Sequence, residues 1–81
     1  MKKAIRIKIE KENPKNILSD YSSPFDIENT SKVSEVKTQV KNTLSFPYEL
    51  VKEYFYYGSK ELKDDQVLDK EGPFEYKLVI K

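Results

Sequence analysis

Asn29-Thr30-Ser31-Lys32-Val33-Ser34-Glu35-Val36-Lys37-Thr38-Gln39-Val40-Lys41-Asn42-Thr43-Leu44-Ser45-Phe46-Pro47 is the stretch whose apolar residues recur at helical spacing. Val33, Val36, Val40 and Leu44 stand at i, i+3, i+7 and i+11, one stripe of a 3.6-residue period, with Glu35, Lys37 and Lys41 elsewhere on the circumference. The side chains of Asn29-Thr30-Ser31 can accept a bond from a first-turn N–H, and Pro47 pushes Phe46 out of the helical region. The spacing therefore predicts one helix over about residues 32–44 with a single apolar face. Pro47 also suits a first helical position, so a second short turn is expected through Tyr48–Lys52.

The flanking sequence reads as strands. Ile5, Ile7 and Ile9 alternate with Ala4, Arg6 and Lys8, a period of two that suits a half-buried strand. Residues 10–23, rich in Glu, Lys, Asn, Pro, Ser and Asp, read as a long connection in which Ile17, Leu18 and Tyr21 pack back. A short strand is expected at about Pro24–Glu28, with Phe25 and Ile27 on one face. Beyond the helix, Tyr54-Phe55-Tyr56-Tyr57 is strand chemistry closed by Gly58. Leu62, Asp64-Asp65 and Val67-Leu68 suggest a short edge element and a turn, and Gly72-Pro73 precedes a last strand over Phe74–Lys81. There Phe74, Tyr76, Leu78 and Ile80 share one face, and Glu75, Lys77, Val79 and Lys81 the other. The order is strand, strand, helix, strand, short strand, strand, without repeat or linker, which makes residues 1–81 one domain of the α+β class.

Composition narrows the activities. The 81 residues are 37% apolar and 36% charged, with 15 basic against 14 acidic side chains, so the broad positive charge of a polyanion binder is missing. There is no Cys and no His, which removes the usual ligands of zinc and iron-sulfur sites and the usual nucleophile and base of acyl transfer. With no glycine-rich phosphate loop either, the expectation is a non-enzyme with no catalytic residue, no metal, no cofactor and no small-molecule substrate. The absence of Cys fits a reducing compartment, cytoplasmic or nuclear. The basic start at Met1-Lys2-Lys3 leads into alternating charge and Ile where a signal peptide needs an unbroken apolar run, and no run is long enough to span a membrane.

Several features in this order resemble the ubiquitin family. They are Val36-Lys37 in the helix, Phe46-Pro47 after it, the aromatic strand leading to Gly58, Lys60 before Leu62, Asp64 and Leu68, and the closing Tyr76-Lys77-Leu78-Val79-Ile80-Lys81. The resemblance runs from about residue 3 to 81 and lies in ordered spacing more than identity. It implies a β-grasp fold, a mixed sheet of four to five strands curled around one helix, in which the last strand runs between the first strand and the aromatic one. Two departures are expected: a loop at 10–23 longer than the family's tight hairpin, and a shorter segment between Leu68 and Phe74. Conjugation in this family needs a flexible Gly-Gly tail. The chain as given stops at Lys81, where such a tail would begin, so the expected relative is a non-conjugating one.

The family's recognition surface is an apolar patch on the outer side of the first, last and aromatic strands. Period-two counting places Arg6, Lys8, Lys77 and Val79 there, joined by Phe55 and Tyr57 if Tyr54 and Tyr56 point to the helix. A shift of one residue exchanges the two aromatic pairs. The candidate partner-binding set is thus Phe55, Tyr57, Val79, Lys77, Arg6, Lys8 and Lys52, an apolar centre with a basic rim that would favour acidic-edged helices or strands of other proteins. The resemblance implies ubiquitin-system or proteasome components as partners. The competing explanation is plain: aromatics on a strand usually serve a core, and basic residues on a half-buried strand are usually its solvated face.

Two alternatives remain. Lys2, Lys3, Arg6, Lys8, Lys11 and Lys15 face only Glu10 and Glu12 in the first 15 residues, and exposed aromatics stack on single-stranded bases. The near-zero overall charge ranks a nucleic-acid binder below a protein binder. Ubiquitin-like accessory proteins of bacterial secretion systems also lack the Gly-Gly tail and stay within the fold. The carboxylates Asp64, Asp65, Asp69 and Glu71 lack the glycine and periodicity of a calcium loop and read as a solvated turn. Asn29-Thr30-Ser31 matches a glycosylation sequon but is better explained as the helix cap.

Overall fold

The computed structural model describes residues 2–81; Met1, the first residue of the basic start, lies outside the described residues. The elements follow as β1 (Lys2–Lys11), β2 (Asn16–Asp26), α1 (Val33–Leu44), β3 (Leu50–Tyr57), β4 (Lys60–Glu61) and β5 (Phe74–Ile80). They form one five-stranded mixed sheet in the order β2-β1-β5-β3-β4, with β1 parallel to β5 and the other pairs antiparallel. A parallel pair needs a long crossover, and the chain from β2 through β4 supplies it. Among the described residues no helix is long and apolar enough to cross a membrane.

The core lies between one face of this sheet and the helix. Ile5, Ile7 and Ile9 of β1, Phe74, Tyr76, Leu78 and Ile80 of β5, and Val33, Val36 and Val40 of α1 are buried in a single cluster with Phe25, Ile27, Phe55 and Leu68. Leu44 packs against its margin. Each fully buried aliphatic or aromatic side chain contributes roughly 1.5–3 kcal/mol relative to exposure, which is what holds so charged a chain together. At the β1 end of the core, Lys3 is buried, and its Nζ donates to the Leu68 carbonyl and lies 5.9 Å from the Phe74 ring centre.

Four local expectations are corrected. The expected long connection over 10–23 is instead a hairpin, because β1 continues to Lys11, the chain turns at Glu12–Lys15, and β2 already begins at Asn16. The pattern concealed it because β2 is an edge strand, which can carry Ser and Asp on its backbone ladder, and because a bulge at Leu18 breaks its alternation. Ile17, Leu18 and Tyr21 do not pack back; all three are exposed. The expected helical turn at Tyr48–Lys52 is absent, since Leu50 opens β3 and pairs with Ile80.

The Asn29-Thr30-Ser31 side chains do not cap the helix. Lys32 still belongs to an extended bridge with Val67, so it becomes the N-cap residue, and its N–H donates to Glu35 Oε1 at 3.1 Å. The helix stops as expected before Pro47, with Ser45 in the left-handed conformation and its N–H bonded to the Asn42 carbonyl.

Candidate functional site

The register of β3 decides which aromatics face outward. Its partner β5 alternates without ambiguity, with Phe74, Tyr76, Leu78 and Ile80 buried. Phe55 lies opposite Tyr76 and Tyr57 opposite Phe74, so both point to the helix side, while Tyr54 and Tyr56 lie opposite Lys77 and Glu75 on the outer face. Leu50 and Phe55, an odd number of residues apart, both face inward because the bulge at Val51 inserts one residue between the phases.

Two of the expected binding residues are thereby corrected. Phe55 is 0% exposed and packs between the Phe74 and Tyr76 rings at 5.9 and 5.7 Å. Tyr57 is half-buried on the same side, 5.4 Å from the Phe74 ring. The other five, Val79, Lys77, Arg6, Lys8 and Lys52, do stand on the outer face, where no helix covers them. The alternative pair, Tyr54 and Tyr56, takes their place on that face, and the two rings stack there at 6.1 Å with an interplanar angle of 17°. Only the phase of β5 carried the signal for them.

The basic rim is largely neutralised by its neighbours. Arg6 makes a two-pronged pair with Asp20 of β2, Nε and a terminal nitrogen each 2.8 Å from a carboxylate oxygen, and approaches Glu75 at 4.0 Å. That pair raises the Arg6 pKa and lowers that of Asp20, in both cases chiefly through the hydrogen bond. Glu10, buried although it lies on the outer face, takes Lys77 at 3.2 Å and Lys8 at 4.0 Å. Lys52 has no ionic partner among the described residues.

The face therefore divides into two sectors. Around Tyr54 stand Lys77, whose Nζ lies 5.9 Å from the ring centre, its neighbour Lys8 and the unpaired Lys52, against the single carboxylate of Glu10. Around Tyr56 stand Glu75 on one side and Glu61 on the other. The first sector combines an aromatic surface and Val79 with an excess of positive charge; the second is acidic.

A second polar cluster lies under the helix and was not legible in the sequence. Glu53 faces inward from β3 and accepts from Tyr76 Oη at 2.8 Å and Lys41 Nζ at 3.3 Å, with Lys37 Nζ at 3.6 Å. Lys37, which the helical pattern left off the apolar stripe, is buried and also bonds Asp64 at 2.7 Å. Burial, and then the bond to Glu53, pushes the Tyr76 hydroxyl far above the ordinary tyrosine range. It is a donor that stays protonated, and Glu53 accepts two hydrogen bonds with a third cation close by; the cluster ties α1 and the 62–66 segment to the sheet. Asp64, Asp65, Asp69 and Glu71 do not converge, and among the described residues no three acidic side chains are grouped to hold a metal ion.

Two shallow depressions mark the lower end of the sheet. One of about 210 Å³ is lined by Tyr57, Leu62 and Val67 with Lys60 and Lys70, and one of about 170 Å³ by Arg6, Phe74 and Glu75. Both are smaller than the roughly 300–1,000 Å³ usual for small-molecule sites. No protein-family model and no curated protein matches this chain.

Proposed function

We propose that this chain is a non-catalytic protein-interaction module with a ubiquitin-like β-grasp fold, which binds an acidic segment of a partner protein through the Tyr54 sector of its outer sheet face. The fold reading is supported by β5 lying between β1 and β3, by the parallel β1/β5 pair and by the single helix on one face. The observation that carries the binding reading is the excess of lysine around a half-buried aromatic of the outer face: Lys8, Lys52 and Lys77 against Glu10, beside Tyr54 and Val79. Tyrosine anchors contacts at low entropic cost, and unpaired positive charge steers acidic partners. The resemblance to ubiquitin directs the search for them to ubiquitin-system and proteasome components of the cytoplasm or nucleus.

Single-stranded nucleic acid is the weaker ligand for the same face. A strand stacking on Tyr54 and then Tyr56 would run its phosphates past Glu61 and Glu75, and Arg6 is already held by Asp20.

The test compares wild-type protein with Tyr54→Ala, Lys52→Glu and Lys70→Glu. Proteins captured by the wild type are identified and titrated directly by calorimetry. The first two variants weaken binding by roughly tenfold, about 1.4 kcal/mol, and Lys70→Glu, in the loop before β5, leaves it unchanged. Equal affinity of all four proteins for every captured partner overturns the reading.

A further inference from the structure

The two edges of the sheet are unequal. β4 is two residues long, whereas β2 runs for eleven residues with nothing on its outer side, and three of the chain's exposed large apolar residues belong to it: Ile17, Leu18 and Tyr21 at 50, 41 and 39%. A long bare edge offers a row of unpaired peptide groups to another strand.

The phase of that edge follows from one hydrogen bond. Glu12 N–H donates to the Ile80 carbonyl across the β1/β5 seam at 2.8 Å. Since peptide groups alternate in direction along a strand, even-numbered residues of β1 address β5, and Ile5, Ile7 and Ile9 address β2. Their partners Ser23, Tyr21 and Ser19 are thus bonded to β1, and Asp20, Ser22 and Pro24 direct their backbone outward. Pro24, with no N–H to leave unpaired, fits that phase.

The usable part of the edge is bounded on both sides. Pro24 cannot donate, and the bulge at Leu18 breaks the ladder, which leaves Ser19–Ser23. These limits are equidistant from Tyr21. A segment with its two stops placed symmetrically about one residue matches an antiparallel copy of itself turned about a two-fold axis through that residue.

We propose that two copies of this chain pair through β2, antiparallel about a two-fold axis at Tyr21, to form one continuous ten-stranded sheet. Asp20 and Ser22 of each copy then form a hydrogen-bonded pair with Ser22 and Asp20 of the other. Tyr21 meets Tyr21 of the second copy as a non-hydrogen-bonded pair on the helix side, where its side chain is exposed. At either end Leu18 meets Pro24 of the second copy, which covers exposed apolar surface. The Asp20 carboxylates are each held by their own Arg6, and a net charge of +1 does not oppose self-association. This inference stands apart from the proposed function, since the Tyr54 sector lies across the sheet and would be presented twice in the pair.

The chain has no cysteine, so a single thiol can report the register. Directly opposed non-hydrogen-bonded residues sit about 4.5 Å apart at Cα, within disulfide reach. Tyr21→Cys with oxidised glutathione is expected to form a covalent dimer in high yield, and Lys15→Cys, in the hairpin turn, to remain monomeric. By sedimentation equilibrium the wild type gains mass with concentration toward the dimer. Ser22→Pro, which removes only an outward N–H, stays monomeric with an unchanged circular dichroism spectrum; should its melting point fall, Tyr21→Lys, which opposes like charges at the axis, takes its place. A wild type that is monomeric at every concentration, whether or not the edge accepts some other extended peptide, overturns the proposal. So does a dimer that persists in a folded β2 variant, or equal cross-linking at positions 15 and 21.

Discussion

The Tyr76 hydroxyl donates to Glu53 Oε2 at 2.8 Å, joining the buried face of β5 to an inward carboxylate of β3 that also receives Lys41 and lies near Lys37. An inward glutamate is tolerated there because donors surround it, and the same enclosure keeps the tyrosine protonated. Because the folded-state pKa of Tyr76 is raised, its contribution is complete below the unfolded tyrosine pKa of about 10 and is lost as pH rises above it. Tyr76→Phe should therefore cost about 1 kcal/mol at neutral pH and make stability fall less steeply above about pH 10 than in the wild type. Urea unfolding across alkaline pH measures both, and an unchanged alkaline slope contradicts the linkage.

The inward register of Phe55 and the outward register of Tyr54 predict opposite costs for neighbouring truncations. Phe55→Ala empties the space between Phe74 and Tyr76 and should cost about 3–5 kcal/mol. Tyr54→Ala leaves the core intact, and its cost should stay below about 1 kcal/mol. Chemical denaturation of the two variants checks the order, and a larger loss for Tyr54→Ala would place the register one residue off.

Asp20 should titrate below the ordinary carboxylate range because Arg6 bonds its charged form. With its folded pKa lowered, whatever stability the pair contributes is present above the unfolded carboxylate pKa and disappears as pH falls through the folded one. Arg6→Gln should move the Asp20 titration back toward the ordinary value. Carboxyl NMR of the two proteins measures the shift directly.

The two glycines should respond differently to alanine. Gly58 has φ +61° and a Cβ there would meet nothing, so Gly58→Ala should cost about 1 kcal/mol from the left-handed backbone alone. Gly72 has φ +108°, and its Cβ would lie 3.3 Å from the Phe74 nitrogen. Gly72→Ala should be the worse of the two, about 1–3 kcal/mol, with thermal melts giving the order.

How much of this could be read beforehand depends on whether each pattern had a single solution. The alternation of Ile5, Ile7 and Ile9, that of Phe74, Tyr76, Leu78 and Ile80, and the valine stripe of α1 admit one phase each, and all three face the core as expected. The outward placement of Arg6, Lys8, Lys77 and Val79 follows from them, whereas that of Lys52 rests on the register of β3. β2 was hidden because an edge strand needs no apolar alternation to keep its ladder, and the Lys32 cap because it depends on a bridge to Val67, far along the chain.

The sequence by itself determined the class of fold, its one helix and the strands with an unbroken period, since burying one face of each is the only way this chain can shelter its apolar residues. Tertiary structure alone decided which aromatics of β3 face the solvent, because Tyr and Phe both suit either side and only pairing with β5, with one extra residue at Val51, selects the phase. It also decided that Glu53 of the sheet meets Lys37 of the helix between the two layers and that Glu10 gathers two lysines of the outer face. Charges are legible in a sequence one at a time; their partners are set by strand register.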